Sequence, residues 1–95
     1  MRAKKNSIVI AYDIADDRRR NRIVKLLEKV GVRINFSVFE CMLTDKQYFR
    51  LKTEIVKQIK PREDIIVYYP ICMDCYTKIV YQPEQNRKYE KIFVV

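Results

Sequence analysis

Residues 7–17 read Ser-Ile-Val-Ile-Ala-Tyr-Asp-Ile-Ala-Asp-Asp, and the chain is organised around this stretch. Ile8, Val9, Ile10 and Ala11 form a short continuous apolar run. Its length and β-branched residues favour a strand buried on both faces, although periodicity alone does not exclude a buried helix. Tyr12 and Asp13 close the run. Asp16 and Asp17 follow, and then Arg18-Arg19-Arg20-Asn21-Arg22. A strand over about residues 7–14 therefore delivers a carboxylate to its end, beside dense positive charge. Such a carboxylate can hold a metal ion, and the arginines can hold phosphate.

Downstream of this strand the spacing predicts a helix from Asp17 to Val30, with Asp16 as N-cap and Gly31 as a left-handed stop. Ile23, Val24, Leu27 and Val30 make its buried face. Arg18, Arg22, Lys25 and Lys29 repeat at helical spacing and form a basic stripe on another face. Three arginines, Arg18 to Arg20, stand where a helix N-terminus favours negative charge. Local ion pairs with Asp16 and Asp17 are one explanation. Retention of the charge to meet phosphate is the favoured one, because the stripe continues down the helix.

Residues 32–43, VRINFSVFECML, are apolar enough for one long bent strand or for two short strands with a tight turn near Asn35–Ser37. Alternation would put Ile34, Phe36 and Val38 on one face and Asn35, Ser37, Phe39 and Cys41 on the other. Thr44-Asp45-Lys46-Gln47 is a capping box that opens a second helix. Tyr48, Leu51, Ile55 and Ile59 form its core stripe, and Pro61 ends it after about Ile59 or Lys60. Asp64 to Tyr69 is a third strand, broken or edged by Pro70. Thr77 to Tyr81 is expected to form a further short strand. Residues 82–95 form a polar tail ending in Ile92-Phe93-Val94-Val95, expected to pair with a sheet edge of its own chain or of a partner.

The order predicts a single α+β domain over 1–95, with a ferredoxin-like sheet covered on one face by two helices. The other face, expected to carry Phe39 or its neighbours, is a natural dimer surface. Ninety-five residues bury roughly 60–70% of the surface of the unfolded chain, a modest core that a second protomer would help to complete.

The net charge is +8, and residues 1–33 carry ten basic and four acidic side chains. That asymmetry points to a polyanion near the first helix. There is no histidine, which excludes histidine-based acid–base catalysis, Ser-His-Asp triads and most zinc enzymes. No apolar stretch is long enough to cross a membrane. No export signal is evident and the number of cysteines is odd, so reduced thiols in the cytoplasm are expected. Cys72 and Cys75 form a CxxC. Zinc lacks a full ligand set there, and a thioredoxin-like role needs a strand leading into a helix. Two thiols in a turn is therefore the favoured reading.

Asp13 is the strongest candidate for catalysis and metal binding. The alternative, a turn former or cap, is weakened because Asp16 and Asp17 already serve the cap. One carboxylate per chain is too few for a two-metal site. A two-fold dimer would bring two together, and Mg²⁺ tolerates few protein ligands.

With these residues in view, the chain resembles the small CRISPR-associated protein of the adaptation stage, the CRISPR-associated protein two family, whose members are often described as endoribonucleases. The resemblance rests on Tyr12-Asp13-Ile14 with Asp16-Asp17 and the Arg/Asn-containing helix start, on Arg33 with Ser37-Val38-Phe39-Glu40, and on the passage from the second helix to Tyr69-Pro70 and the nearby cysteines. It implies a ferredoxin-like homodimer with Mg²⁺ held near its axis by Asp13 of each chain, and metal-dependent cleavage of RNA or DNA phosphodiesters. It also implies assembly with the CRISPR integrase subunit in a spacer-acquisition complex, where the small subunit acts mainly as a scaffold. Tyr12, Arg20, Arg33, Ser37 and Phe39 match positions for nucleic-acid contact or site geometry. Cys41 stands where a glycine is common. A metal-dependent nuclease and a non-catalytic adaptor gripping duplex DNA through Arg18, Arg22 and Lys25 both remain open, because Asp13 is expected in either.

Overall fold

The computed structural model describes residues 4–83. Its elements run β1 (Lys5–Asp13), α1 (Asp17–Glu28), β2 (Gly31–Asn35), β3 (Val38–Thr44), α2 (Asp45–Val56), β4 (Ile65–Ile71) and α3 (Met73–Thr77). The four strands form one sheet in the order β2-β3-β1-β4, and every neighbouring pair is antiparallel. This is the expected α+β, ferredoxin-like layout, with the first apolar run as a central strand.

Alternation along β1 decides which side chains meet the helices. Ile8, Ile10 and Tyr12 face inward and share a core with Phe39, Cys41 and Leu43 of β3. Ile23 and Leu27 of α1 and Leu51 and Ile55 of α2 close that core from above, so both helices cover the same face. Asp16 caps α1 by accepting the Arg19 N–H at 3.0 Å. Thr44 and Gln47 form the predicted capping box of α2, with reciprocal bonds of 2.9 and 3.1 Å.

Several expectations are corrected. Residues 32–43 are two strands with a bulge between Arg33 and Asn35, not one. Phe39 shares a face with Cys41, as alternation implies, but it is the face the helices cover, so Phe39 is fully buried rather than on the open face. That face carries instead Val38, Glu40 and Met42 of β3, with Ile65, Val67 and Tyr69 of β4 exposed on it. Helix α1 ends at Glu28, two residues before the expected Val30, and α2 ends at Val56, about one turn before the expected Ile59 or Lys60. No glycine has a positive φ, so Gly31 is not a left-handed stop. It is required because a Cβ there would collide with the Cys41 sulfur and lie 2.5 Å from the Glu40 carbonyl oxygen. Pro70 lies within β4, an edge strand of the described sheet, where its missing N–H costs no ladder bond between two neighbours.

Residues 77–81 do not form a strand. Cys72 caps the short helix α3, the Tyr76 N–H donates to the Cys72 carbonyl at 2.8 Å, and the Thr77 hydroxyl donates to the Asp74 carbonyl at 2.7 Å. These local bonds satisfy the backbone in a helical turn. The chain then brings the Tyr81 hydroxyl to Glu40 Oε1. Glu40 Oε2 is buried with no hydrogen-bond partner among the described residues, and burial pushes this carboxyl above its ordinary pKa. The predicted pairing of Ile92–Val95 lies outside the described residues.

Candidate functional site

At the C-terminal end of β1 a cleft of about 450 Å³ opens between the start of α1 and the β2–β3 turn. Its lining includes Tyr12, Asp13, Arg20, Arg33 and Ser37, all singled out from the sequence, together with Ile14, Asn21 and Phe36.

The cleft follows from strand alternation at two adjacent residues. Tyr12 points into the helix-covered layer and is buried, whereas Asp13 points to the opposite side and is exposed. The Tyr12 hydroxyl donates to the Phe36 carbonyl at 2.6 Å, while the Tyr12 N–H donates to the Ser37 carbonyl at 3.0 Å. Within the turn, Asn35 Oδ1 accepts the Ser37 N–H at 3.1 Å, an Asx-type bond that replaces the missing glycine. One tyrosine thus pins the far wall of the cleft to the strand that carries Asp13.

Arg33 completes this wall. Its Nη2 donates to the Tyr12 hydroxyl oxygen at 3.1 Å and to the Phe36 carbonyl at 3.4 Å. Its guanidinium lies 5.7 Å from the centre of the Phe39 ring, and that ring in turn packs 6.2 Å from Tyr12. Phe39 therefore supports the site from beneath and does not line it. On the near wall, Arg20 donates through Nε and Nη2 to the Ile14 carbonyl at 3.3 and 3.2 Å, and through Nη1 to Asp17 at 2.7 Å. Both arginines are held in place by groups that use only part of their N–H donors, which leaves donors for an anion.

The arginine cluster divides into different roles. Arg19 turns inward and makes a two-pronged pair with Asp64, with Nε 2.8 Å from Oδ2 and Nη2 3.1 Å from Oδ1. It is a structural residue, and the expectation that all three arginines meet phosphate is corrected for it. Asp64 also accepts the Lys60 and Ala15 amides at 2.8 and 3.1 Å. The Arg19 guanidinium, first among these groups, holds the Asp64 carboxyl far below the usual aspartate range. The Arg19 amide likewise lowers the pKa of Asp16. Arg18, Arg22 and Lys25 are exposed along α1 with Lys29 and do not line the cleft. They form a separate basic surface, with Arg22 Nη1 3.4 Å from Gln58 Oε1.

Asp13 takes no hydrogen bond or ion pair among the described residues, and no group of three His, Cys, Asp or Glu side chains is placed to hold a metal ion among them. A cation at Asp13 would therefore draw its remaining ligands from water, from nucleic-acid phosphate or from a second chain. Such a sparse oxygen set fits Mg²⁺, which retains several waters. Asn21 and Phe36 escaped the sequence reading. Asn21 stood in the arginine run without a role, and Phe36, 90% exposed, was assigned to a strand face. An aromatic in a glycine-free turn was the signal for the latter.

Residues 6–79 match the family model described as CRISPR associated protein Cas2. The chain belongs to this family. A Synechocystis protein named CRISPR-associated endoribonuclease Cas2 3 is 41% identical over 71 residues, which cover 75% of this chain and 77% of the relative. A Thermus thermophilus protein named CRISPR-associated endoribonuclease Cas2 is 45% identical over 62 residues, covering 65% of this chain and 66% of the relative. Among solved structures, a chain of a partial Cas6-RT-Cas1--Cas2 complex superposes with a TM-score of 0.71 at 28% identity, covering 83% of this chain and 92% of that one. The Cas2 family model spans all the cleft-lining residues and the basic face of α1. No helix among the described residues is long and apolar enough to cross a membrane.

Proposed function

We propose that this Cas2-family chain is a Mg²⁺-dependent endonuclease of the cytoplasm that acts on RNA or DNA phosphodiesters in CRISPR adaptation. The observation that carries the reading is the exposed, unpartnered Asp13 carboxylate in a cleft whose walls are Arg20 and Arg33. The names of the Synechocystis and Thermus thermophilus relatives support nuclease chemistry.

Asp13 would hold Mg²⁺ as an oxygen ligand, with Asp13 of a second protomer as its counterpart across a two-fold axis. When bound, the cation supplies Lewis-acid activation of water and phosphate. Arg33 and Arg20 orient the phosphate with their remaining N–H groups. Tyr12 fixes the wall that carries Arg33, and Ser37 sets the turn. The homodimer is supported by the exposed apolar side chains Ile65, Val67 and Tyr69 on the sheet face away from the helices.

A second reading is a non-catalytic DNA-binding scaffold for the integrase subunit. It is favoured by the exposed basic face of α1 and by the likeness to a chain from a Cas1–Cas2 assembly. Cleavage of single-stranded RNA and duplex DNA by wild type and Asp13→Asn, each with Mg²⁺ and with EDTA, separates the two. The nuclease reading expects activity only in the wild type with metal. Equal activity in both proteins, or activity that survives EDTA, removes Asp13 and the metal and leaves the scaffold.

A further inference from the structure

The CxxC at Cys72-Met73-Asp74-Cys75 plays no part in the cleft. A thioredoxin-like redox role needs a strand leading into a helix, which the spacing of residues 70–81 alone does not predict. The structure supplies that context. Strand β4 ends at Ile71, Cys72 is the N-cap of α3, and Cys75 falls at the third helical position. An N-cap side chain folds back over the first turn, towards the N–H of the third residue. Accordingly, the Cys75 N–H donates to the Cys72 sulfur at 3.4 Å. Both thiols are exposed and free. The third cysteine, Cys41, is buried in the core beside Gly31.

We propose that Cys72 and Cys75 form a reversible dithiol–disulfide couple, with Cys72 as the attacking thiol and Cys75 as the resolving thiol, and with small disulfides as the oxidant. In the first step the Cys72 thiolate attacks one sulfur of a disulfide R–S–S–R. A Cys72–S–S–R bond forms and RS⁻ leaves. Cys75 then loses its proton to solvent and attacks the Cys72 sulfur. The Cys72–Cys75 bond forms and a second RS⁻ departs. The protein loses two electrons and two protons, and the small disulfide becomes two thiols. The division of labour follows from the geometry, because Cys72 receives the N–H of Cys75 and is not asked to donate one in return. The electrostatics agree. The Cys75 amide, followed by the Cys75 thiol, lowers the pKa of Cys72, whereas the adjoining Cys72 sulfur raises that of Cys75. Burial pushes Cys41 up to about 12, so it stays protonated and serves as an internal reference.

The full-length protein incubated at pH 7.5 with oxidised glutathione tests this, read by intact mass and peptide mapping. The wild type is expected to lose two hydrogen masses through a Cys72–Cys75 bond and to regain them with reduced glutathione. Cys75→Ser is expected to trap one glutathionyl group on Cys72. Cys72→Ser is expected to react at Cys75 at least about tenfold more slowly. Equal rates in the two single variants would overturn the assignment of roles. Failure of the wild type to form the bond, or thiols that react only after a chelator is added, would overturn the couple itself. These outcomes do not depend on whether the cleft cleaves nucleic acid.

Discussion

Arg19 and Asp64, 45 residues apart in sequence, meet in a two-pronged ion pair of 2.8 and 3.1 Å that ties the first turn of α1 to the entrance of β4. Asp64 is 4% exposed and Arg19 8%. Removing one partner would strand the other's charge away from water, which costs more than the loss of a surface pair. Arg19→Ala is therefore expected to lower the melting temperature by at least about 10 °C, whereas Arg18→Ala, one residue away and exposed, moves it by no more than about 3 °C. Thermal unfolding followed by far-UV circular dichroism compares them. Equal small shifts would count against the pair as a structural tie.

The same pair sets the acid limb of stability. The folded-state pKa of Asp64 is depressed, so its contribution is complete above the unfolded value of about 3.9 and is lost as pH falls from there. Glu40 acts with the opposite sign. Its folded-state pKa is raised by burial, so its contribution is present below the ordinary glutamate range and declines as pH rises through the shifted value. Melting temperatures from pH 3 to 8 should fall steeply on the acid side in wild type and less so in Asp64→Asn. Glu40→Gln should flatten the decline on the other side. An acid limb unchanged in Asp64→Asn would assign it to other carboxylates.

Gly31→Ala tests a packing limit. The added methyl would meet the Cys41 sulfur and the Glu40 carbonyl, and the backbone oxygen 2.5 Å away cannot rotate aside. A destabilisation of about 1–3 kcal/mol is expected, measured by urea denaturation. Because the carbonyl remains, adding Cys41→Ala should restore only part of it. Full restoration would show that the sulfur alone sets the limit.

The basic face of α1 predicts a salt effect. If Arg22 and Lys25 contact phosphate, replacing both with Gln should flatten the slope of log affinity for duplex DNA against log salt by about 1.8. Fluorescence anisotropy over a salt series reads the slope directly. An unchanged slope would make this a solvated surface. Arg19→Met, by contrast, should leave the slope alone once its loss of stability is allowed for.

Much of this was legible because the decisive signals were local. The apolar run at Ile8–Ala11, the Asp16 cap and the Thr44–Gln47 box each specify structure within a few residues, and each was found where expected. Tyr12, Asp13, Arg20, Arg33 and Ser37 could be named together, although only the fold shows that they share one cleft. What stayed hidden depended on distant partners. The turn at 36–37 carries neither glycine nor proline and is held by Tyr12 from 24 residues away. Alternation groups Phe39 with Cys41 correctly, but which of the two sheet faces the helices cover is decided by Ile23, Leu27, Leu51 and Ile55 from distant segments, which is why Phe39 is expected on the wrong face. Arg19 looks like its neighbours until Asp64 is brought beside it. The helix at Cys72 was missed because five residues are too few to show a period.

The placement of Tyr12 and Asp13 on opposite sides of a single strand also constrains how such a chain can vary. Along β1, sequence position works like a reading frame with a period of two. Losing one residue between Ile8 and Tyr12 would turn the tyrosine outward, send the acid into the apolar layer and release the wall that carries Arg33. A single deletion would thus abolish packing and chemistry together. Length changes should collect in the connections, while β1 tolerates substitution far better than insertion or deletion.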